Sequence, residues 1–173
     1  MDGCFAQSTV TACDLAVWLK STYVSHQMVQ QPWLWMICET LHFIGLALLI
    51  GAAGLIDLRL MGLMRGVPVS AVMQMRKWAT LGVAINVVTG TLFFIGAPDQ
   101  YIHNPAWKAK LLFLAVAIIN VAIFETTQGK RMLALPADTA TPRSFKVAGA
   151  VSMASWFLVL YFGRMLPFIG DAF

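Results

Sequence analysis

The sequence has few charged residues, and this scarcity already points to the class of protein. Charged side chains make up 12% of the 173 residues and hydrophobic ones 59%, whereas an average soluble domain has about 25% charged residues. The three cysteines lack the short paired spacing of zinc and iron–sulfur sites. The sequence also lacks a phosphate loop, a dinucleotide fingerprint and an ordered Ser-His-Asp set. We therefore expect a membrane protein that is not an autonomous enzyme.

Four long apolar stretches are each close to the roughly 20 residues that a helix needs to cross a bilayer. Helices are expected because lipid cannot satisfy exposed backbone groups. The sequence predicts one domain over residues 1–173, an all-α integral membrane four-helix bundle. The expected spans are about 33–55, 78–95, 106–125 and 145–168.

Basic residues are concentrated in two of the predicted loops. Eight lie between spans one and two or between spans three and four, against four on the opposite side. The positive-inside rule then places both termini outside, in the periplasm of a bacterial inner membrane. No Lys/Arg stripe is interleaved with aromatics, so the net charge of +4 does not indicate nucleic-acid binding.

The residues before the first span are less apolar. The amino end lacks a basic segment before its weak apolar run, so we expect it to be retained rather than removed as a signal peptide. Residues 11–31 predict either a short amphipathic helix on the outer membrane surface or a simple cap on the bundle. Cys4 and Cys13 fall on the outer side, where a disulfide between them is one alternative.

Two ionisable residues interrupt the first span. Glu39 and His42 are three positions apart and share a helix face. Such a pair can be half of a di-iron centre, but that centre needs a second Glu-x-x-His and further glutamates. The only other glutamate is Glu125, so the sequence argues against a di-metal site.

A single haem b is a better candidate for this position. Imidazole is a common axial ligand, and an apolar bundle can enclose the macrocycle. His42 and His103 lie on the same predicted side of the membrane and are the candidate metal ligands. Gly45, one turn after His42, would let a flat ring or another helix approach.

The alternatives are a structural or proton-handling network and a different metal or ligand. Glu39 could hold His42, with Arg164 of the fourth span as counter-charge, and these two residues complete the candidate cofactor-binding set. Arg164 could instead extend to the interface. Asp57 and Arg59 end the first span, and each is expected to pair with another loop because residues two apart do not share a helix face.

Five motifs occur together in the chain: Trp33-Leu34-Trp35, Glu-Thr-Leu-His-Phe-Ile-Gly at 39–45, Asp-Leu-Arg-Leu at 57–60, Gln-Tyr-Ile-His-Asn-Pro at 100–105 and Gly-Arg-Met-Leu-Pro-Phe at 163–168. As a set they resemble a family of uncharacterised bacterial inner-membrane proteins with four helices. This resemblance implies the location and the helix count but no activity. A looser likeness to small b-type cytochromes and copper-resistance membrane proteins rests on histidine in a four-helix bundle.

Two functional hypotheses follow. The first is a small b-type cytochrome that exchanges electrons with quinone or a periplasmic partner. The second is an accessory or structural subunit of a larger inner-membrane complex, suggested by the small size and the shortage of catalytic groups. A transporter ranks third because no inverted repeat or broken helix is evident.

Overall fold

The computed structural model describes residues 10–133 and 139–169, and within these ranges it contains helices and no strand. The helices are α1 (Val10–Lys20), α2 (Tyr23–Gln30), α3 (Pro32–Met61), α4 (Val69–Met73), α5 (Arg76–Gly96), α6 (Pro98–Ile102), α7 (Pro105–Leu133) and α8 (Arg143–Met165). Four segments are long and apolar enough to cross a membrane: α3, α4 with α5, α7, and α8. The prediction of an all-α membrane protein with four spans is confirmed.

Three of the four spans continue as helix beyond the predicted limits, most of all α7. We expected the third span to end near residue 125, but α7 runs to Leu133. Residues 126–131 are polar, and Thr126, Thr127 and Gly129 have low helix propensity. The two threonine hydroxyls donate back to carbonyl oxygens of the preceding turn, and the backbone stays helical after the apolar run ends. The fourth span ends earlier than expected, at Met165 instead of residue 168, because Pro167 cannot continue a helix.

The segment before the first span forms two short helices instead of one. The Thr22 hydroxyl accepts a hydrogen bond from the Ser25 N–H and caps the start of α2. α1 buries Ala16 and Leu19 and leaves Trp18 exposed. It packs against α6, while α2 packs against α5. These helices therefore cover one end of the bundle, called here the terminal end because both described termini lie there.

The opposite end is called here the basic end. It carries the connection from α3 to α5 and the connection from α7 to α8. Gly62 ends α3 with a positive φ of 86°, a conformation that glycine adopts without a steric penalty. The eight basic residues counted above belong to this end: Arg59, Arg65, Arg76, Lys77, Lys130, Arg131, Arg143 and Lys146.

The four long helices form an arc in the order α5, α3, α8, α7. α3 packs against both α5 and α8, and α8 packs against α7. The α3–α5 contact is the closest, since a Cβ at Gly82 would lie 2.6 Å from the Gly45 carbonyl oxygen. α5 and α7 have no comparable contact. The bundle is therefore tightly packed along α3–α5 and open between α5 and α7.

The gap between α5 and α7, called here the seam, is bridged at both ends. At the terminal end Phe94 stacks on Trp107, with ring centroids 5.1 Å apart and planes within 6°. Tyr101 of α6 packs edge-on against both rings. At the basic end Arg76 donates to the Glu125 carboxylate over 3.0 Å. The open part of the seam lies between these two bridges.

Candidate functional site

His42 lies at the α3–α5 interface with one ring nitrogen already paired. Its Nδ1 is 2.7 Å from the Thr89 hydroxyl oxygen, and that hydroxyl donates its own proton to the Ile85 carbonyl oxygen over 2.7 Å. The imidazole must therefore donate from Nδ1 to Thr89, which leaves a lone pair on Nε2. The edge of the ring also packs on Phe93, with centroids 5.6 Å apart. The residue is held firmly on two sides.

The other residues of the predicted cofactor site are distributed around the terminal half of the bundle. Gly45 is buried and faces Asn86 of α5, so it accommodates a neighbouring helix. Glu39 is exposed on the outward side of α3. Arg164 is exposed and lies over the Phe168 ring at 5.9 Å. His103 is half-buried and caps the carboxyl end of α6.

In the described residues, no hydrogen bond, ion pair or ring contact joins His42 to Glu39, His103 or Arg164. α6, which ends at His103, packs against α1, α5 and α7. Within residues 10–133 and 139–169 there is also no group of three His, Cys, Asp or Glu side chains that could hold a metal ion. Haem binding by His42 and His103 stays a prediction.

Lys110 is a neighbour of His42 that the sequence did not indicate. It is half-buried on α7, and its ammonium is near enough to interact electrostatically with the imidazole. Its Nζ lies 3.4 Å from the place that a Cβ on Gly163 would occupy. The absence of a side chain at Gly163 therefore gives this lysine its space between α7 and α8.

The basic half of the bundle contains a cavity of about 250 Å³ inside the seam. All four long helices contribute to its wall. The part nearest the middle of the bundle is apolar and includes Leu49, Val83 and Trp156, whereas the part nearest the basic end includes Asp57, Arg76 and Glu125. The cavity therefore has one apolar and one polar end.

Asp57 is the most unusual residue of this cavity. It is 3% exposed, and it lies about 22 Å along α3 from His42 at a rise of about 1.5 Å per residue. The Ser152 hydroxyl of α8 donates to its carboxylate. The second oxygen, Oδ2, has no hydrogen-bond partner. A buried polar atom without a partner costs about 1–3 kcal/mol, and more when it is charged.

The expectation that Asp57 and Arg59 each pair with a loop holds for one of them. Arg59 is buried, and its guanidinium donates to the Val67 carbonyl and the Thr141 hydroxyl, both in connecting segments. For Asp57 the expectation is wrong, because its partner Ser152 belongs to the spanning helix α8. It points away from Arg59 because a helix turns by about 100° per residue.

The ion pair at the basic end separates the cavity from open space. Arg76 and Glu125 line the cavity, and they also line a groove that opens beyond it at the basic end. The Arg76 side chain is 60% exposed and that of Glu125 33%. This bridge spans the seam with partly exposed charged side chains instead of packed apolar ones.

A helical stripe in the sequence would have identified Asp57 as a bundle-facing residue. Leu49, Ala53, Asp57 and Leu60 follow one another at intervals of four, four and three, which places them on one face of α3. Three of the four are apolar and buried. Its position at the end of the span instead suggested a helix terminator.

Cys4 lies outside the described residues, and the side chain of Cys13 is not described, so the proposed disulfide stays a prediction. Cys38 is a free, buried thiol on α3, as its place within the first span indicated. Comparisons with protein-family models, with curated proteins and with solved structures find no significant match for this chain.

Proposed function

We propose that the protein binds an amphiphilic small molecule, taken from the bilayer, in the cavity beside Asp57. The observation that carries this proposal is the unpartnered Asp57 Oδ2 on the wall of a cavity with one apolar and one polar end. An ionisable residue buried in a membrane-spanning helix is costly and is by default a candidate functional residue. A bound head group would supply the missing partner.

The shape of the cavity supports a ligand with a head and a tail. Its volume of about 250 Å³ is just below the roughly 300–1,000 Å³ of pockets that enclose drug-sized molecules. It therefore fits a head group and the start of a chain. The polar lining faces the basic end and the apolar lining faces the middle of the membrane, which is also how a lipid-like molecule is oriented in one leaflet.

The seam supports entry from the side. Direct helix packing is present along α3–α5, α3–α8 and α7–α8 but not between α5 and α7. A molecule dissolved in lipid could therefore reach the cavity without crossing the tight helix interfaces. The concentration of basic residues at the nearby end supports the cytoplasmic leaflet of a bacterial inner membrane as the source, with both termini in the periplasm.

Photolabelling tests this proposal. The purified protein in phosphatidylcholine nanodiscs is incubated with a diazirine-bearing fatty alcohol, irradiated and digested for mass spectrometry. We expect label on the α7 and α8 segments that line the cavity, around Val121 and Trp156. Val83→Trp, which fills the cavity from α5, should remove most of this label.

The matched control is Val87→Trp, one turn along α5, where the side chain is 54% exposed and does not line the cavity. It should leave the labelling pattern unchanged. Uniform labelling of the lipid-facing surface in wild type, insensitive to Val83→Trp, would contradict the proposal.

The second candidate function, an accessory subunit of a larger complex, is favoured by Glu39. This carboxylate is exposed on the outward face of a spanning helix, and neither ion pair of the described chain includes it. A charge on a lipid-facing surface is costly, whereas a cationic group of a partner helix would stabilise it. Affinity purification from native membranes should recover a partner with wild type and lose it with Glu39→Leu; equal recovery with both would refute this role.

The haem hypothesis has one supporting observation. A ligating histidine normally donates its second ring N–H to a protein acceptor, and the hydrogen bond from His42 Nδ1 to Thr89 leaves Nε2 available in this way. A reduced-minus-oxidised optical spectrum after haem-replete expression tests it. A Soret band that disappears in His42→Ala would support the hypothesis, and no band in wild type would exclude it.

A further inference from the structure

We infer that the head group bound beside Asp57 is a cation, so that the ligand is a monocationic amphiphile such as a long-chain ammonium compound. This inference rests on the proposed function and specifies its ligand. It follows from the balance of charge and of hydrogen-bonding groups on the cavity wall.

The charged residues that line the cavity are Asp57, Arg76 and Glu125. Arg76 and Glu125 neutralise each other through their ion pair. Asp57 takes part in neither ion pair of the described chain. Asp57 is therefore the one carboxylate of the lining without a counter-charge. It lies at the most buried of the three positions, where a bound cation would stabilise its ionised form.

The hydrogen-bonding groups point to the same conclusion. The Ser152 hydroxyl donates to the Asp57 carboxylate, and the second carboxylate oxygen, Oδ2, remains as an acceptor without a donor. When Asp57 is ionised, an anionic head group would be repelled by it, and a head group with acceptors alone, such as an oxidised quinone, would place acceptor against acceptor. A cation interacts favourably with an ionised carboxylate in a medium of low dielectric constant.

Aromatic rings in the same lining favour a cation further. Trp156 and Phe124 line the cavity, and both are more than nine-tenths buried. Aromatic side chains attract cations through the negative faces of their rings, most strongly when water is excluded. The cavity thus combines a carboxylate, two aromatic side chains and apolar walls.

Equilibrium dialysis with three probes of equal chain length tests the inference. Decylammonium, whose N–H groups can donate to Oδ2, is compared with decanol and decyl sulfate on the protein in phosphatidylcholine nanodiscs, with empty discs subtracted to remove lipid partitioning. We expect wild type to bind the cation at least about tenfold more tightly than the other two probes, and Asp57→Asn to lose at least about tenfold in affinity for the cation alone. The control Asp14→Asn removes an exposed carboxylate of α1 that does not line the cavity, and it should bind like wild type.

The outcomes distinguish this inference from the proposed function. If decanol binds as tightly as the cation, and Val83→Trp weakens both, the cavity binds amphiphiles but the cationic preference is refuted. If no probe binds above the empty discs, both ideas fail. If Asp57→Asn does not fold, as judged by gel filtration, the preference of wild type for the cation over decanol and decyl sulfate decides the question.

Discussion

The two ends of α3 carry ionisable side chains in different surroundings. His42, in the terminal half, is hydrogen-bonded to Thr89 and packed against Phe93. Asp57, in the basic half, has an oxygen without a partner on the wall of a cavity. His42 lies along the tight α3–α5 interface, whereas the cavity beside Asp57 extends to the seam between α5 and α7.

This difference shows that an ionisable residue within a span is not by itself a site. Such residues are usually functional, and by that rule His42 and Asp57 are equally good candidates for a functional residue. They differ in whether the polar atoms are already paired and whether space lies beside them. A paired group mainly stabilises the fold, whereas an unpaired group beside a cavity can gain a partner only from a ligand or water.

The largest expected effect tests the packing side of this comparison. In Gly82→Ala the new Cβ would lie 2.6 Å from both the Gly45 carbonyl oxygen and the Leu49 backbone nitrogen, so α3 and α5 must separate. We expect a loss of about 3 kcal/mol of unfolding free energy, at the upper end of overpacking costs. Gly51→Ala is the control, because a Cβ there meets nothing within 4 Å. Denaturant titration in mixed micelles measures both variants, and equal stabilities would show that the α3–α5 interface is loose.

Asp57→Leu should stabilise the ligand-free protein. It removes a buried acceptor without a partner and fills part of the cavity. The buried Ser152 hydroxyl loses its acceptor but can bond back to a carbonyl of its own helix, so we expect the free energy of unfolding to rise by about 1 kcal/mol. The same variant should lose binding of the decylammonium probe. Thermal unfolding without ligand measures the first effect, and a lower melting temperature would show that Asp57 is a satisfied structural residue.

In contrast, His42→Leu should lower the free energy of unfolding, by about 1 kcal/mol. It removes an interhelical hydrogen bond, which contributes about 0.6 kcal/mol on average in membranes, and the edge contact with Phe93. The Thr89 hydroxyl keeps its bond to Ile85, so no buried donor is left unpaired. Thermal unfolding under the same conditions gives the comparison. A gain in stability would mean that burying the His42 imidazole costs more free energy than its contacts with Thr89 and Phe93 contribute.

The smallest effect concerns the aromatic bridge at the terminal end of the seam. Burial raises the pKa of the Tyr101 phenol to about 12, above the value of about 10 in an unfolded chain. The folded state then holds the phenol proton more tightly than the unfolded chain does. The resulting stabilisation of the folded state is complete below pH 10 and is lost as the pH rises from 10 to 12. Between pH 9 and pH 11 we expect wild type to lose about 1 kcal/mol more unfolding free energy than Tyr101→Phe, which has no phenol proton to release. Parallel unfolding curves for the two proteins at both pH values check this, and an equal loss in both would contradict it.

The sequence was sufficient to predict the fold in outline. Runs of apolar residues determine which segments cross the membrane, and the helices containing Trp33, Trp78, Ala106 and Phe145 lie where hydropathy indicated. The helix ends were less predictable. α7 continues through residues 126–133 although Thr126, Thr127 and Gly129 have low helix propensity, so neither hydropathy nor propensity marks its end.

The candidate site was less predictable, because it depends on which helices are neighbours. Hydropathy gives no order of helices around a bundle, and so the expected pairing of Glu39 with Arg164 could not be derived from the sequence. The cavity arises from the missing α5–α7 contact, a property of the arrangement of helices and not of any motif. Asp57 could have been recognised as facing the bundle from its spacing to Leu49 and Ala53. Its unpartnered oxygen is visible only in the structure.

The central claim is that Asp57 binds the ligand and His42 stabilises the fold. The most direct test is the affinity for decylammonium of Asp57→Asn and His42→Leu, measured side by side in nanodiscs against wild type. We expect at least a tenfold loss in Asp57→Asn and an unchanged affinity in His42→Leu. A loss confined to His42→Leu would contradict the claim and place the site in the terminal half of the bundle.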